Sequence, residues 1–238
     1  MNIQLQLPKD INSVNLRDFQ KFQKVVADNP EVNNDFLEIK MLQIFAGLTY
    51  KEVQLLPVGT FDDVMRYMTV LFESKTPLIR RFTMTGTDGV DVEFGFIPNL
   101  DKMTMGEYID LNNYLEDADS LNKAMAVLYR PIHPSYKNKT NYRISSYEGT
   151  EFFSELMKDM PLGIALGAKV FFYRLGMKLS RLIMNSFQRQ LESQEGKLSE
   201  EEKSRLIKSI DGIRSSTLLL EDRLSILTKQ PYSQYTKL

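Results

Sequence analysis

The feature that most limits the fold is a pair of heptad repeats in the last third of the chain. In the first, over residues 161–194, mostly apolar seam positions recur at steps of four and three: Leu166, Val170, Tyr173, Met177, Ser180, Met184, Phe187 and Leu191. After the short link 195–198, the same steps recur at Leu206, Ile210, Ile213, Thr217, Leu220, Leu224 and Leu227. Heptad spacing places each set on one side of a helix. Two such helices with a short Gly-containing link predict an antiparallel helical hairpin.

Details of the two repeats add to this prediction. Ser199 and Glu202 have the spacing of a capping box and start the second helix. Ser180 and Thr217 are the polar seam positions, and we expect them to set the register, as a polar residue in a seam can.

Large apolar residues also lie off the first seam, at Phe171, Phe172 and Leu175. They need a second surface, which is either the amino-terminal helices or a partner protein. Gly163 and Gly167 have small-residue spacing that allows close packing against another helix, and we include them in a candidate partner interface. A membrane span is not expected, because charges interrupt the apolar run well before the ~20 residues that a bilayer requires.

We divide the chain into three regions: a helical region at 1–79, a β-hairpin with helices at 80–160, and the helical hairpin at 161–238. Residues 81–96 alternate apolar and polar side chains on both sides of Asp88-Gly89, which indicates an antiparallel hairpin. The helical region shows 3.6-residue periodicity, a Thr49/Glu52 capping box and a Gly47 cap. We therefore predict a mainly α fold with one small antiparallel hairpin, in one or two compact units.

The segment 93–115 combines glycines, a proline and several carboxylates. We interpret it as a strand end, a turn and a helix that starts with a capping box of Thr104 and Glu107. Asp101, Glu107 and Asp110 are an alternative set of oxygen ligands for a divalent cation, although their spacing is not that of a calcium loop.

The segment 132–149 is longer than most connections and holds the single histidine, His133, which we expect to be exposed and structural. Lys137, Lys139 and Arg143 form a weak candidate patch for nucleic acid, interleaved with two tyrosines. A solvated loop is the preferred interpretation, since three cations neutralise few phosphates. The net charge of −1 provides no general attraction to polyanions.

Nothing in the composition points to catalysis. The chain has no Cys, which excludes disulfides, thiol nucleophiles and cysteine-ligated metals and fits a reducing compartment. Nucleotide-binding, zinc-protease and serine-hydrolase motifs are absent. Acidic pairs at Asp62-Asp63 and at Asp117 with Asp119 are interpreted as helix-end or solvated residues. We expect no enzyme activity, no cofactor and, since the start lacks a secretion signal, a cytoplasmic product.

Three segments resemble a poorly characterised protein family of tailed bacteriophages, including crAss-like phages and large contractile-tailed phages. They are "FGFIPNLDKMTMGEYIDLNNYLED", "LNKAMAVLYRPI" and "MKDMPLGIALGAKVFFYRLG", within about residues 90–180. The resemblance implies a virion structural or tail-assembly role, with phage structural or assembly proteins as partners in the host cytoplasm or the virion. Oligomer formation is left open, and two other functions stay as alternatives: a nucleic-acid-binding accessory protein and a carboxylate-based metal-dependent enzyme.

Overall fold

Helices make up most of the chain, and one small antiparallel sheet lies between them. The computed structural model describes residues 4–86, 89–133, 135, 141–193 and 198–229. In chain order the elements are α1 (Leu16–Asp28), α2 (Asn34–Phe45), α3 (Tyr50–Gln54), α4 (Val58–Phe72), β1 (Arg81–Thr85), β2 (Asp91–Phe96), α5 (Met105–Leu115), α6 (Leu121–Leu128), β3 (Tyr129–Pro131), α7 (Glu151–Met157), α8 (Leu162–Ser193) and α9 (Glu200–Lys229), with short 3₁₀ turns at Ile11–Ser13 and Leu100–Lys102. The predicted mainly α fold with a small β part is confirmed.

Local capping signals start and end several helices as the sequence predicts. Thr49 and Glu52 form a reciprocal capping box at α3, and Gly47 follows α2 with a positive φ of 67°. Helix α4 begins at Val58, and the carbonyl of Pro57 accepts the N–H of Phe61. Proline fits a helix start, where its missing N–H has no helical acceptor.

The sheet has three strands in the order β1-β2-β3, with both pairs antiparallel. The predicted hairpin is present: the N–H of Gly86 donates to the carbonyl of Val90, and Gly89 has a φ of 78°. Asp88 lies outside the described residues. The third strand, Tyr129–Pro131, is not indicated by the sequence patterns described above. Pairing with β2 and the extended preference of the residue before Pro131 make this segment a strand.

The core lies where β2 and α6 meet the amino-terminal helices and the first turns of α8. Phe94 and Phe96 of β2 are fully buried, as is Tyr129 of β3. The Phe96 ring lies 5.3 Å from the Tyr129 ring and 5.7 Å from that of Phe171, so the sheet and α8 share one aromatic cluster.

The carboxy-terminal third forms the predicted antiparallel hairpin of α8 and α9, which contact each other extensively. Seam positions of α8 are buried or half-buried, and so are those of α9 up to Leu224. The side chain of Leu227 lies outside the described residues. The contact between Gly176 and Leu220 and the ion pair between Arg181 and Glu221 define the register. Ser199 and Glu202 form the predicted capping box at the start of α9.

Leu220→Asp tests the seam assignment. We expect it to lower the free energy of unfolding by about 2 kcal/mol, because it places an unpaired charge in a half-buried apolar seam. Leu219→Asp, at the exposed neighbouring position, is the matched control and is expected to change stability by less than about 0.5 kcal/mol. Urea unfolding followed by circular dichroism measures both, and equal effects would contradict the seam.

No helix among the described residues is both long enough and apolar enough to cross a bilayer.

Candidate interaction surface on the helical hairpin

The distal half of α8 carries apolar side chains that the fold leaves uncovered. All buried residues of α8 lie between Leu162 and Tyr173. Beyond that point, Leu179, Leu182 and Ile183 lie off the seam and expose 50%, 55% and 44% of their surface. They recur at helical spacing on one side of α8, and we call these three residues the α8 stripe. The hairpin therefore has two apolar sides on α8: one covered by α9, and one open.

Helix α9 also exposes three large apolar residues, but they do not form one surface. Ile207, Leu218 and Leu219 expose 51%, 59% and 61% of their surface. Ile207 lies far from the other two along the helix, and charged residues separate them. Among the described residues, the continuous exposed apolar surface of the hairpin is therefore the α8 stripe.

The base of the hairpin is fixed to the rest of the molecule by charged groups. Arg223 of α9 forms an ion pair with Glu116, just after α5, and lies close to Tyr173. Lys169 of α8 is 7% exposed beside these groups. Burial lowers the pKa of Lys169 to about 8, and the nearby Asp117 carboxylate opposes that shift. These contacts hold both helices at the base, while the distal half extends for about 30 Å at 1.5 Å per residue.

The predicted partner interface is divided by the structure. Phe171 and Phe172 are half-buried, and their rings lie 5.7 and 5.9 Å from that of Phe96, so strand β2 provides the second surface that they need. Leu175 is also half-buried.

Gly163 and Gly167 do not belong to an exposed interface. A Cβ on Gly163 would lie 2.4 Å from Asn12, and one on Gly167 would lie 2.3 Å from the carbonyl oxygen of Pro77. These glycines allow close packing, as predicted, but against a 3₁₀ turn and an extended segment of the same chain. Their inclusion in a partner interface, and the expected contact with another helix, are therefore wrong.

One of the two polar seam residues forms a hydrogen bond within its own helix. The hydroxyl of Thr217 donates to the carbonyl of Ile213 in its own helix, at 2.8 Å. The register role of Ser180 and Thr217 stays a prediction. Gly176 against Leu220 and Arg181 with Glu221 are the contacts that relate one helix to the other.

A buried charge cluster lies at the start of α5. The predicted capping box is present: the Glu107 carboxylate accepts the N–H of Thr104 at 2.6 Å, and the Thr104 hydroxyl accepts the N–H of Glu107. The same carboxylate forms an ion pair with the Arg130 guanidinium of β3 at 2.5 Å. The Glu107 side chain is 5% exposed and that of Arg130 is 8% exposed. Burial acts to raise the pKa of Glu107, but hydrogen bonds from Thr104 and the charge of Arg130 hold it below its usual value.

Aromatic and carboxylate groups complete this cluster. The Arg130 guanidinium lies 5.5 Å from the centre of the Tyr147 ring, and the Tyr147 hydroxyl donates to Asp110. Burial and this hydrogen bond raise the pKa of Tyr147. Asp101 is exposed in the turn before α5. Glu107 and Asp110 are thus committed to Arg130 and Tyr147, and within the described ranges no three acidic or histidine side chains form a group that could hold a metal ion.

The other acidic pairs lie at helix ends or in solvent, as interpreted. Asp63 pairs with Arg66 on the exposed side of α4. Asp117 accepts the N–H of Asp119 and the hydroxyl of Ser120 in the turn before α6.

The candidate nucleic-acid patch is only partly described. Lys137 and Lys139 lie outside the described residues, whereas Arg143 is exposed and its carbonyl accepts the N–H of His133. His133 is exposed, as predicted. One of the two tyrosines, Tyr136, lies outside the described residues. The expectation for the other is corrected: Tyr142 is buried, its hydroxyl donates to the carbonyl of Phe96 at 2.6 Å, and it is not available to stack on bases.

A cleft of about 230 Å³ that the sequence did not reveal lies beside α1. Its lining residues are Arg17, Gln20, Lys21, Lys24, Asp119 and Lys158. Arg17 binds Asp159 and Glu155, both at 3.0 Å, and Lys158 binds Glu155 at 2.7 Å. These carboxylates offset much of the positive charge. Only the tertiary fold brings Arg17 and Lys158 together, so no local sequence signal could have found the cleft.

Comparisons with protein-family models, with curated proteins and with solved structures give no match for this chain.

Proposed function

We propose that this chain is a non-enzymatic bacteriophage protein that acts through protein contacts in virion morphogenesis, as a tail-assembly factor or a minor head-tail component. The family resemblance of residues 90–180 supports the phage context. The α8 stripe supports the contact role, and it is the observation on which the proposal depends. In this proposal the protein works in the host cytoplasm during assembly, and the partner is another phage protein.

The stripe has the properties of a docking surface. Its three side chains are 44–55% exposed, and they lie on a helix that is long, regular and held at its base by α9. A helix that presents an apolar face at this spacing can pack against a groove or another helix. Burying three such side chains would contribute several kcal/mol to association before the entropic costs.

Charge around the stripe defines the chemistry of the partner. Residues 174–193 include four cations, Arg174, Lys178, Arg181 and Arg189, and one anion, Glu192. The ion pair with Glu221 neutralises Arg181, and the rest give this half of α8 a positive border. A partner with an apolar groove bordered by carboxylates would match both features and would be guided to the hairpin by its charge.

The test combines Leu179→Glu with Leu182→Glu in the phage that encodes the chain. We expect the double variant to lose partner cross-links and to lower the yield of infectious particles at least tenfold, while its melting temperature stays close to that of the wild type. Both positions are exposed, so neither substitution should disturb the fold. Gln188→Glu, an exposed position on another side of α8, is the matched control and should behave as the wild type.

Cross-linking mass spectrometry on infected cells measures the contact, and quantitative mass spectrometry of purified virions separates the two roles. Stoichiometric presence of the protein in particles indicates a structural component. If the protein is absent from particles and the double variant produces defective tails, the protein is an assembly factor. Normal particle yield and unchanged cross-links in the double variant would refute the proposal.

A further inference from the structure

Strand β1 is an edge strand whose outer backbone groups face away from the sheet. The N–H of Phe96 donates to the carbonyl of Arg80, and that of Gly86 donates to the carbonyl of Val90. Hydrogen-bonded pairs alternate along an antiparallel ladder, so Phe82 and Met84 form the next such pairs with β2. The backbone groups of Thr83 and Thr85 therefore point outward.

Nothing in the described part of the chain covers this edge at Thr83 and Thr85. Both residues are exposed, and their backbone N–H and C=O groups have no hydrogen-bond partner there. Natural sheets usually protect such edges with charges, Pro residues or bulges. Here β1 has no Pro, and its one charged residue, Arg81, is bound to Glu93 across the ladder at 2.7 Å. The edge is thus open, and β1 itself adds no unpaired charge to it. The Asp91 carboxylate of β2 lies on the inner side of β1, where it accepts the Thr85 hydroxyl at 2.8 Å.

We propose that a second copy of this chain pairs with β1, antiparallel and across a two-fold axis, so that the two sheets join into one of six strands. With the axis beside Met84, Thr83 of each copy lies opposite Thr85 of the other. The outward N–H and C=O groups of these two residues then make four reciprocal backbone hydrogen bonds. A six-stranded sheet is of ordinary size, and a two-fold pairing closes on itself.

The side chains of β1 suit a second copy. On the exposed face, the threonines of the two copies lie side by side, and pairs of threonines are favourable across antiparallel strands. On the other face, Met84, which is 9% exposed, meets its own counterpart, so an apolar residue lies against an apolar residue. No like charges lie opposite one another at these positions, because Arg81 lies outside the central pairs and is bound to Glu93.

The strength of this contact follows from its size. A five-residue strand buries much less than the about 1,200 Å² of a stable interface. We therefore expect a dimer with a dissociation constant in the micromolar range or weaker, present where the protein is concentrated, as it is during particle assembly under the proposed function. The pairing itself does not depend on that function.

The test is sedimentation velocity on the full chain over a concentration series up to the millimolar range, with Thr83→Pro as the probe. Proline removes an N–H that points outward, so it deletes two of the dimer's hydrogen bonds and none of the β1–β2 bonds. We expect the wild type to dimerise and Thr83→Pro to weaken dimerisation at least tenfold. Thr83→Val keeps the N–H and is expected to dimerise as the wild type does.

Hydrogen exchange provides a second measurement that needs no variant. The amides of Thr83 and Thr85 should exchange more slowly as the wild-type concentration rises, whereas exposed amides elsewhere should not. If Thr83→Pro lowers the melting temperature, Thr85→Pro replaces it. A wild type that stays monomeric throughout the series would overturn the proposal. So would a dimer that survives both proline variants, or one that dissociates on Leu179→Glu with Leu182→Glu.

Discussion

Replacing Glu107 by Ala is expected to lower the free energy of unfolding by about 3–5 kcal/mol, the usual cost of removing one partner from a buried ion pair. The substitution leaves the Arg130 guanidinium buried without its carboxylate, and Nε of Arg130 already lacks a hydrogen-bond partner within the described part of the chain. It also removes the capping contact to Thr104. A capping box by itself would account for only about 1 kcal/mol.

The same motif at α3 separates these two contributions. Glu52 forms an equivalent capping box with Thr49 but is only partly buried, and no cation pairs with it among the described residues. Glu52→Ala is therefore the matched control and is expected to cost about 1 kcal/mol. Urea unfolding of the full chain at neutral pH measures both variants. If Glu107→Ala costs no more than Glu52→Ala, the buried pair does not stabilise the fold as described.

The free energy of unfolding of the wild type, measured as the pH is lowered, should also show the contribution of Glu107. The pKa of Glu107 is lower in the folded state than its usual value, so ionised Glu107 stabilises the fold above its unfolded pKa. That contribution is lost as the pH falls through the folded pKa. Glu107→Ala lacks it, and the stability of this variant should change less over the same acidic range.

Sequence patterns predicted the parts of this fold that depend on neighbours along the chain. The heptad steps of α8 and α9 identify the hairpin, because helix geometry alone places those residues on one side. The capping boxes at Thr49, Thr104 and Ser199 depend on residues three positions apart. Such signals remain readable without any knowledge of tertiary contacts.

The parts that the sequence did not reveal depend on distant partners. The sequence predicts Glu107 as a cap, but its pairing with Arg130 requires β3, a strand that no local sequence pattern indicates. From the sequence, Tyr142 is an aromatic residue in a loop. In the structure its hydroxyl donates a hydrogen bond to the carbonyl of Phe96.

The sequence predicts that α8 has exposed apolar residues off the seam, but it does not predict which residues they are. Helix α8 does have large apolar residues off the seam, but Phe171 and Phe172 pack against Phe96 in the aromatic cluster. The uncovered residues lie farther along, at Leu179 and Leu182. Heptad spacing shows which side of a helix faces its partner helix, but it does not show where the body of the protein ends. That boundary, after Tyr173, is set by packing alone.

Gly167→Ala is expected to lower the free energy of unfolding by about 3 kcal/mol, although Ala is the better helix former by about 1 kcal/mol. The added Cβ would lie 2.3 Å from the carbonyl oxygen and 3.0 Å from the carbonyl carbon of Pro77. Both are backbone atoms, so a side-chain rotation cannot relieve the overlap, and α8 must move away from the 76–77 segment. The matched control is Gly212→Ala in α9, where an added Cβ meets no atom within 4 Å. There the helix preference acts alone, and the substitution is expected to raise stability by up to about 1 kcal/mol. Urea unfolding of the two variants beside the wild type should therefore give changes of opposite sign, and a stabilising Gly167→Ala would show that α8 does not pack against Pro77.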